Sequence, residues 1–487
     1  MEVYGVAIQM VKDIIKKEDI DTWTNDRIVF ISAPTGTGKS TFIFDVLAPH
    51  VRDKMILFLT NRNALKSQVE RFLEEKSIHN ITVHNYQKIE AQCKSSFKGE
   101  PVDLNKYDYI VCDECHYFIT DSMFNRFTDM SIKEILESKP VKIMMSATVD
   151  IIKRYVEGYL KKPTIKYSIE DDFSFIDHFE FYNMDESVKE IIDGTHSDEK
   201  VLCFINDARL CLKLSNEYAG QSMFFCSKSN RLHSFTDEAK NLFLLENERF
   251  KDKVLFTTTA LDNGINIDDK DVKTVIIDVT EVDTLIQCLG RRRVDRSDRN
   301  DKFNVYIKNI NNRTLNGIYV KTKASTEKAN YLRENGEKAY LEKYFKESFD
   351  RSGIIYEEKE TGKKTINMLM YIHRLYNNGV YYGNWTKSAN GYMRGISELL
   401  KRETDSAVVY EGRQGKKELS STLKALVGRR LSEDEKNSLI DKINYREDGH
   451  LKRSASMINE YLRKSKIPFH ITIERDSKKS WWKIIKG

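Results

Sequence analysis

A glycine-rich turn near the amino terminus has the residue types and the spacing to bind phosphate. The apolar run at 27–31 predicts a strand, and the sequence APTGTGKS follows at 33–40. Gly36 and Gly38 can take backbone angles closed to other residues, so backbone amides can approach a phosphate where the next helix begins. Lys39 would reach the β- and γ-phosphates, and Ser40 would ligate Mg²⁺. The predicted nucleotide-binding residues are Thr35, Gly36, Thr37, Gly38, Lys39, Ser40 and Thr41.

Two carboxylates follow a second apolar run further along the chain. Residues 107–112 predict a buried parallel strand, and Asp113 and Glu114 stand at its carboxyl end, where α/β sheets bind ligands. Two adjacent acids alone would usually form a solvated turn. After a phosphate loop, however, they indicate a metal ligand at Asp113 and a general base at Glu114 that orients and deprotonates water.

Further blocks in a fixed order make the chain resemble the superfamily 2 DExH-box helicases and translocases between residues 27 and 310. The blocks lie at 60–65 with Gln68, 84–87, 146–148, 200–206, 257–259, 262–267 and 287–293. The resemblance implies an α/β fold with two tandem RecA-like motor domains, each a doubly wound parallel sheet, at 1–160 and 161–310. It also implies ATP and Mg²⁺ as cofactors, although no adenine-reading glutamine motif precedes Ala33.

The same resemblance assigns roles to residues in these blocks. It places nucleic-acid contacts at Thr60, Arg62, Tyr86 and Thr258. It places residues that couple hydrolysis to movement at His116, Ser146, Thr148, Asp262 and Gly264, with His116 and Gln287 sensing each other across the domain cleft. It completes the catalytic set of Lys39 and Glu114 with Gln287, Arg291 and Arg293 from the second domain.

The last block departs from the family pattern Gln-x-x-Gly-Arg-x-x-Arg. That pattern places Val294 where a transition-state arginine finger is expected, and Arg293 and Arg296 flank it. A finger neutralises charge that develops on the transferred phosphoryl group, so only the position of its guanidinium matters. We interpret Arg293 as the finger.

Charge divides the chain into an acidic motor region and a basic tail. Residues 311–487 carry a net charge of +13, which leaves −8 for residues 1–310. We therefore expect a basic, mainly helical carboxyl-terminal domain at 311–487 that binds nucleic acid, with a solvated basic surface as the alternative. A helix and a hairpin at its end are compatible with a winged-helix-like module, and a partner protein could bind there. In the second hairpin strand adjacent side chains alternate faces, so we assign Trp482 to packing and Trp481 to nucleic acid.

The local patterns also predict individual elements. Strands of the second sheet are predicted at 201–205, 223–226, 254–258, 275–279 and 303–307, with a connecting segment at 161–180 before them. Helices are predicted at 3–14, 151–160, 312–348, 365–376, 392–401 and 452–464.

Composition excludes several protein classes. The chain has 487 residues, of which 40% are hydrophobic and 31% charged, which is ordinary for a globular protein of two or three domains. No apolar run approaches the roughly 20 residues of a membrane helix, and no signal peptide is evident, so we expect a cytoplasmic protein without membrane contact. Of the seven cysteines, Cys112 and Cys115 have the C-x-x-C spacing of a metal knuckle, but no second pair follows with zinc spacing, so we interpret them as small core residues. Many Lys, Ile, Asn and Tyr and few Pro suggest an AT-rich bacterial, phage or mobile-element genome, which favours DNA over RNA.

These observations favour a nucleic-acid-stimulated ATPase that translocates along a strand and unwinds duplexes. Two alternatives stay open at this point. One is a translocase that remodels nucleoprotein without unwinding. The other is a nucleotide-gated subunit that grips nucleic acid or a partner, with weak turnover because Val294 replaces the usual finger.

Overall fold

The computed structural model describes residues 9–61, 63–94, 97–123, 127–261, 265–296, 298–344, 352–358, 361–402, 409–410, 413–443, 446–447, 450–451, 453–464, 467–476 and 479–486. The chain separates into two compact units. The first comprises residues 1–177, 197–304 and 320–379, and the second comprises 178–196, 305–319 and 380–487.

A six-stranded parallel sheet organises the amino-terminal part of the first unit. Its strands are β1 (Ile28–Ser32), β2 (Ile56–Thr60), β3 (Ile81–Asn85), β4 (Tyr109–Cys112), β5 (Val141–Ser146) and β6 (Thr164–Ser168). Their order is β3-β2-β4-β5-β1-β6. Because β4, β5 and β1 are neighbours and parallel, the segments that follow them meet at one edge of the sheet.

Helices cover both faces of this sheet, which is why its central strands are apolar on both sides. The α-helices lie at Val11–Ile14, Lys17–Ile20, Lys39–Phe42, Ala48–His50, Asn63–Glu75, Tyr86–Gln92, Tyr117–Thr120, Thr128–Glu137 and Asp150–Arg154, with π-helical turns at Ile43–Leu47 and Tyr155–Tyr159 and 3-10 turns at Leu104–Lys106 and Asp121–Met123. The side chains of Val29 and Ile31 enter one core, and those of Ile28 and Phe30 enter the other.

Four strands of the second motor sheet also belong to the first unit. They are β8 (Lys200–Ile205), β9 (Ser222–Phe225), β10 (Val254–Thr257) and β11 (Val272–Asp278). These four strands run parallel in the order β11-β8-β10-β9. The strand β7 (Ile176–Tyr182) precedes them in the chain. Helices flank them at Ala208–Glu217, Glu238–Asn247 and Val282–Arg291, with 3-10 turns at Arg231–Phe235 and Thr259–Leu261. The helix Val282–Arg291 carries the predicted Gln287 and Arg291 and is called the arginine helix below.

The core that contains Ile28 and Phe30, called the first core below, also contains segments that follow the second sheet in the chain. The helix Asn312–Tyr344 contributes Ala329 and Leu332, and the helix Met368–Tyr376 contributes Leu369 and Met370. The hairpin β13 (Ile355–Glu357) and β14 (Lys364–Ile366) lies between these two helices in the chain. Residues 320–379 are therefore part of the first compact unit, whereas the sequence predicts a carboxyl-terminal domain that begins at residue 311.

The second unit combines short strands with helices. It holds most of β7, the strand β12 (Phe303–Lys308) and the two-residue strand β15 (Val409–Tyr410), which pairs with β7 in parallel. Its helices are Glu186–Asp193, Gly383–Trp385, Gly391–Leu399, Arg413–Leu426, Glu433–Ile443 and Ala455–Lys464; the π-helical turn Asn377–Tyr382 begins at the boundary between the units. Its hairpins are β16 (Arg446–Glu447) with β17 (His450–Leu451), and β18 (Phe469–Asp476) with β19 (Lys479–Lys486).

Residues 413–486, which we call the carboxyl-terminal module, have a core of their own. Trp482 packs there with Leu423, Ile458 and Leu462, while the ring of Trp481 is half-buried beneath the Arg430 guanidinium, 4.9 Å from its centroid. The backbone of Leu431 donates to the carbonyl of Trp482 at 2.9 Å, so an extended segment joins the hairpin. The alternation of the two tryptophans is the one expected for this strand.

The fold class predicted from the sequence is confirmed. The chain forms two tandem RecA-like α/β domains with parallel sheets, followed by a mainly helical carboxyl-terminal part. All five strands predicted for the second sheet are present, each shifted by no more than a few residues. Among the described residues, none of the helices has both the length and the apolar character needed to span a bilayer.

Some elements differ from the predictions. The predicted connection at 161–180 contains β6 and the beginning of β7, and β6 pairs with β1 in the first sheet. Because β6 is an edge strand with exposed side chains, it lacks the apolar run that marks a central strand. The helix predicted at 365–376 begins only at Met368, because the Asn367 side chain caps it by accepting from the backbone of Met370. Residues 3–8 of the predicted amino-terminal helix and 345–348 of the helix predicted at 312–348 lie outside the described residues.

Candidate functional site

The predicted phosphate loop connects β1 to the helix that begins at Lys39. Gly36 has φ +84° and Gly38 has φ +79°, backbone conformations that L-residues rarely adopt. The Thr37 hydroxyl donates to the carbonyl of Pro34 at 2.7 Å and closes the turn. The backbone of Val11 donates to the carbonyl of Thr37 at 3.0 Å, so the first helix supports the loop from outside. The sequence predicts a helix at 3–14 but carries no signal for that hydrogen bond.

The side chain of Lys39 lies inside the loop. Its ammonium group donates to the carbonyls of Ala33 at 2.9 Å and Pro34 at 3.3 Å, and the side chain is buried. Ser40 is half-buried at the start of the helix, and Thr41 is exposed. The lysine charge is thereby held at the positive end of a helix, where an anion is the favoured partner.

The two acids follow β4 on a strained backbone. Glu114 has φ +49°, which is uncommon for a residue other than glycine and costs about 1–3 kcal/mol. Hydrogen bonds hold the chain on both sides of it, since the backbone of Asp113 donates to Leu59 and that of Cys115 donates to Met145, both at 2.9 Å. The sheet therefore forces Glu114 into this conformation and aims its side chain at the site.

Burial and nearby charges give the two carboxyl groups different pKa values. Burial, with the neighbouring Glu114 carboxylate, raises the pKa of Asp113 to about 7. Burial also acts to raise the pKa of Glu114, but the nearby Lys39 charge, a hydrogen bond from His116 and the Arg291 charge outweigh it and hold that pKa well below its usual range. Glu114 is therefore an ionised carboxylate at neutral pH, able to accept a hydrogen bond from a water molecule.

A chain of polar contacts leads away from Glu114. Its carboxylate lies 3.3 Å from Nδ1 of His116, and the same nitrogen lies 2.9 Å from the hydroxyl of Ser146. That hydroxyl accepts from the backbone of Thr148 at 3.1 Å, and the Thr148 hydroxyl accepts from the Gln287 amide at 3.5 Å. His116 and Gln287, which the resemblance expects to sense each other across the cleft, are linked here by contacts through Ser146 and Thr148.

The arginine helix approaches the phosphate loop closely. A side chain at Gly290 would place its Cβ 2.9 Å from the Thr35 hydroxyl, closer than unbonded atoms normally come. Gly290 therefore permits an approach that a larger residue would obstruct. Between the loop and this helix lies a small cleft lined by Gly36, Ala147, Gln287 and Arg293 among others.

The three arginines in the last block have different environments. Arg293 faces the cleft, with its Nη1 atom 3.7 Å from the position of a Cβ on Gly36, and its charge acts on Asp113. Arg292 is buried and forms an ion pair with Asp301, while its Nη1 donates to the carbonyl of Arg293 at 2.7 Å. Arg296 lies 3.7 Å from the carboxylate of Asp172. Both arginines that flank Val294 line the cleft, and Arg293 is the one that lies against Gly36 of the phosphate loop.

Several buried polar atoms around this cleft have no hydrogen-bond partner. They are Nε2 of His116, Oε1 of Gln287 and Nε of Arg291. A buried polar atom without a partner costs roughly 1–3 kcal/mol, so such atoms call for an explanation. Together with the buried lysine and the two positive-φ glycines, they fit a bound polyphosphate, and Ser40 with Asp113 offers the hard oxygen ligands that Mg²⁺ prefers.

The residues predicted to contact nucleic acid are less uniformly placed. Tyr86 is wholly buried, stacks on Tyr117 and donates its hydroxyl to the carbonyl of Asp113 at 2.7 Å. This position corrects its assignment, because a ring inside the core offers no surface to a strand. Thr60 is also buried at the end of β2, whereas Thr258 is half-buried after β10. Arg62, Asp262 and Gly264 lie outside the described residues.

Comparison with known proteins finds one family and several distant folds. Residues 1–151 match the family described as type III restriction enzyme, res subunit. No curated protein sequence matches the chain significantly. Among solved structures, S. cerevisiae Dbp5 bound to RNA and ADP BeF3 has 15% identity and a TM-score of 0.42, covering 58% of this chain and 79% of that one.

Two further structures are similarly distant. The DEAD-box helicase Mss116 bound to ssRNA and UDP-BeF has 16% identity and a TM-score of 0.43, covering 86% of this chain and 79% of that one. A fragment of a putative HsdR subunit of a type I restriction enzyme from Vibrio vulnificus YJ016 has 17% identity and a TM-score of 0.39, covering 58% and 60%.

Proposed function

We propose that this protein is an ATP hydrolase of the helicase and translocase type, stimulated by nucleic acid. The observation that carries the proposal is the series of polar contacts from Glu114 through His116, Ser146 and Thr148 to Gln287. It connects a carboxylate beside a phosphate loop to a helix of the second domain. Glu114, which lies beside the phosphate loop, is thereby linked to the arginine helix on the other side of the cleft.

The chain's own residues supply the steps of hydrolysis. Lys39 and the loop amides would hold the β- and γ-phosphates, and Ser40 and Asp113 would hold Mg²⁺. When bound, that ion neutralises phosphate charge and orients the terminal phosphoryl group. Glu114, ionised and fixed by its backbone, orients a water molecule and accepts its proton.

Gln287, Arg291 and Arg293 would complete the site from the second domain. Charge that accumulates on the transferred phosphoryl group is stabilised by guanidinium groups already in place, because the protein does not then need to reorganise. Arg293 is assigned as the finger, since it faces Gly36. The rate of ATP hydrolysis would then depend on how closely the arginine helix approaches the loop. Opening and closing of the cleft during hydrolysis would move the protein along a strand.

DNA is proposed in preference to RNA as the strand. Support comes from the composition of the sequence and from the restriction-enzyme name of the family that matches residues 1–151. The basic region after residue 310, with Trp481 and Arg430 in its module, is proposed as part of the nucleic-acid surface. A bacterial, phage or mobile-element protein that acts in the cytoplasm is consistent with these features.

Replacing the proposed base tests this function. Glu114→Gln keeps the size of the side chain but removes the proton acceptor, so hydrolysis should fall about 10²- to 10⁴-fold while nucleotide binding persists. The measurement is the rate of ATP hydrolysis with and without single-stranded DNA or RNA, and of strand displacement on tailed duplexes. Glu100→Gln, on an exposed residue, is the matched control. Near-parental hydrolysis by Glu114→Gln would refute the assignment of the base.

A second function is favoured by Val294, which occupies the usual finger position. The protein would then be a clamp that closes on nucleotide to grip nucleic acid, with weak turnover. Adding DNA or RNA should accelerate hydrolysis by orders of magnitude in a motor and hardly at all in a clamp.

A further inference from the structure

The helix Met368–Tyr376 connects to two parts of the motor unit, and we call it the clasp helix. On one face, Leu369 and Met370 are buried in the first core with Phe118 and Ile152. The Arg154 guanidinium also lies 4.7 Å from the ring centroid of Tyr376. The clasp helix is thereby fixed to the first motor domain.

The last turn of the clasp helix contacts the start of the arginine helix. Arg374 forms an ion pair with Glu281, the residue that precedes the arginine helix. Nε2 of His373 lies 3.1 Å from the carboxylate of Asp283, in the first turn, and 2.9 Å from the amide of Asn377. The side chains of His373 and Arg374 are only 4% and 9% exposed, so water screens these contacts little.

The charges at this contact suit both helices. Acidic groups are favoured at the amino terminus of a helix and basic groups at the carboxyl terminus. Glu281 and Asp283 stand at the beginning of the arginine helix, and His373 and Arg374 stand at the end of the clasp helix. The charges of Arg374 and His373 also overcome the effect of burial and lower the pKa of Glu281, so its carboxylate stays ionised at neutral pH.

We propose that Arg374 and His373 are positioning residues for hydrolysis, which act through Glu281 and Asp283 on the arginine helix. The contact lies ten residues before Arg291, about 15 Å along the helix at 1.5 Å per residue. A rigid helix transmits a shift at its beginning to Gln287 and Arg291, and Arg293 follows directly. The clasp helix thus fixes the position of the site residues on the second domain relative to those on the first.

This inference rests on the proposed ATP hydrolysis, and it goes beyond the residues that would touch phosphate. It explains why a segment after the second sheet belongs to the motor unit. It also specifies a partner for the beginning of the arginine helix that is 93 residues away in the chain. Misplacement of catalytic groups by about 1 Å can reduce rates about 10²-fold, which sets the size of the expected effect.

Variants on both sides of the contact test the proposal. Arg374→Ala and Asp283→Asn should each lower kcat about 10- to 100-fold while KM for ATP changes less than threefold, because Lys39 and the phosphate loop are untouched. Arg52→Ala, on an exposed arginine that lies outside both the cleft and the basic region, is the matched control and should keep the parental rate. Reversing the pair with Arg374→Glu and Glu281→Arg together should recover much of the rate that either single reversal loses.

Several outcomes would overturn the proposal. Folded variants, as judged by circular dichroism and melting, that hydrolyse ATP at the parental rate would exclude a positioning role. Equal losses in the single reversals and the double reversal, with lowered melting temperatures throughout, would make the contact merely structural. An inactive parental protein would instead contradict the proposed function itself, so the two failures are distinguishable.

Discussion

The nucleotide cleft leaves buried polar atoms without partners, whereas the carboxyl-terminal module satisfies its own. In the cleft, atoms of His116, Gln287 and Arg291 have no hydrogen bond. Among the described residues of 413–486, each buried side-chain polar atom has a partner. Unsatisfied groups reduce stability, and a ligand that pairs with them on binding is one explanation for their retention. The comparison teaches that the cleft is built for a ligand, while the module is built first to hold its own shape.

The largest expected effect sharpens the cleft side of this comparison. Arg293→Ala should lower kcat about 10³-fold or more, the range of an arginine finger, because its guanidinium faces the phosphate loop. The melting temperature should hardly change, since the Arg293 guanidinium faces the cleft. Hydrolysis kinetics with a parallel melting curve provide the measurement.

Neighbouring arginines serve as controls for that experiment. Arg292→Ala should unfold or destabilise the protein, because it leaves Asp301 buried without its partner. Arg296→Ala should be mild. If Arg296→Ala were the only variant with a severe loss of turnover, the finger would lie three residues further along the chain.

The next effect concerns the stability of the carboxyl-terminal module. Trp482→Ala should destabilise it by about 3–5 kcal/mol, because the ring fills the core among Leu423, Ile458 and Leu462. Trp481→Ala should leave the unfolding free energy nearly unchanged and weaken nucleic-acid binding by about 1–3 kcal/mol, the value of one base stack. Denaturant titration and fluorescence anisotropy measure the two quantities. Equal destabilisation by both substitutions, with unaltered binding, would make both rings structural.

The smallest effect is a pH dependence in the cleft. The pKa of Asp113 is raised to about 7 by burial and by Glu114, so the neutral acid predominates below that pH. A metal requires the carboxylate, so Mg²⁺-nucleotide affinity should rise up to tenfold per pH unit below about pH 7 and level off above it. The folded protein binds this proton more tightly than the unfolded chain. The Asp113 contribution to stability is therefore greatest at low pH and declines as pH rises towards 7.

Titration of Mg²⁺-ATP binding from pH 5.5 to 8.5 measures this slope. Asp113→Asn, which cannot ionise, should bind weakly and lose the pH dependence. A parental affinity that is flat across this range would show that Asp113 is already ionised without metal.

The sequence predicts best what depends on neighbouring residues. The phosphate loop, the acids after β4 and the central strands follow from short patterns of glycine, charge and apolar runs. The pairing of β6 with β1, the burial of Tyr86 and the contact of Arg374 with Glu281 depend on residues far apart in the chain. No local pattern specifies such contacts. The assignment of Arg293 lies between these cases. The motif predicts Arg293 or Arg296 as the arginine finger, and the three-dimensional structure shows that Arg293 lies against Gly36.

The strained backbone at Glu114 has a consequence for protein engineering. Glycine would accept φ +49° without the steric penalty of about 1–2 kcal/mol that a side chain incurs there. A library screened only for thermal tolerance would therefore tend to accumulate glycine at this position and discard the carboxylate. Screens that aim to make this protein more robust should hold residue 114 constant or select for turnover at the same time.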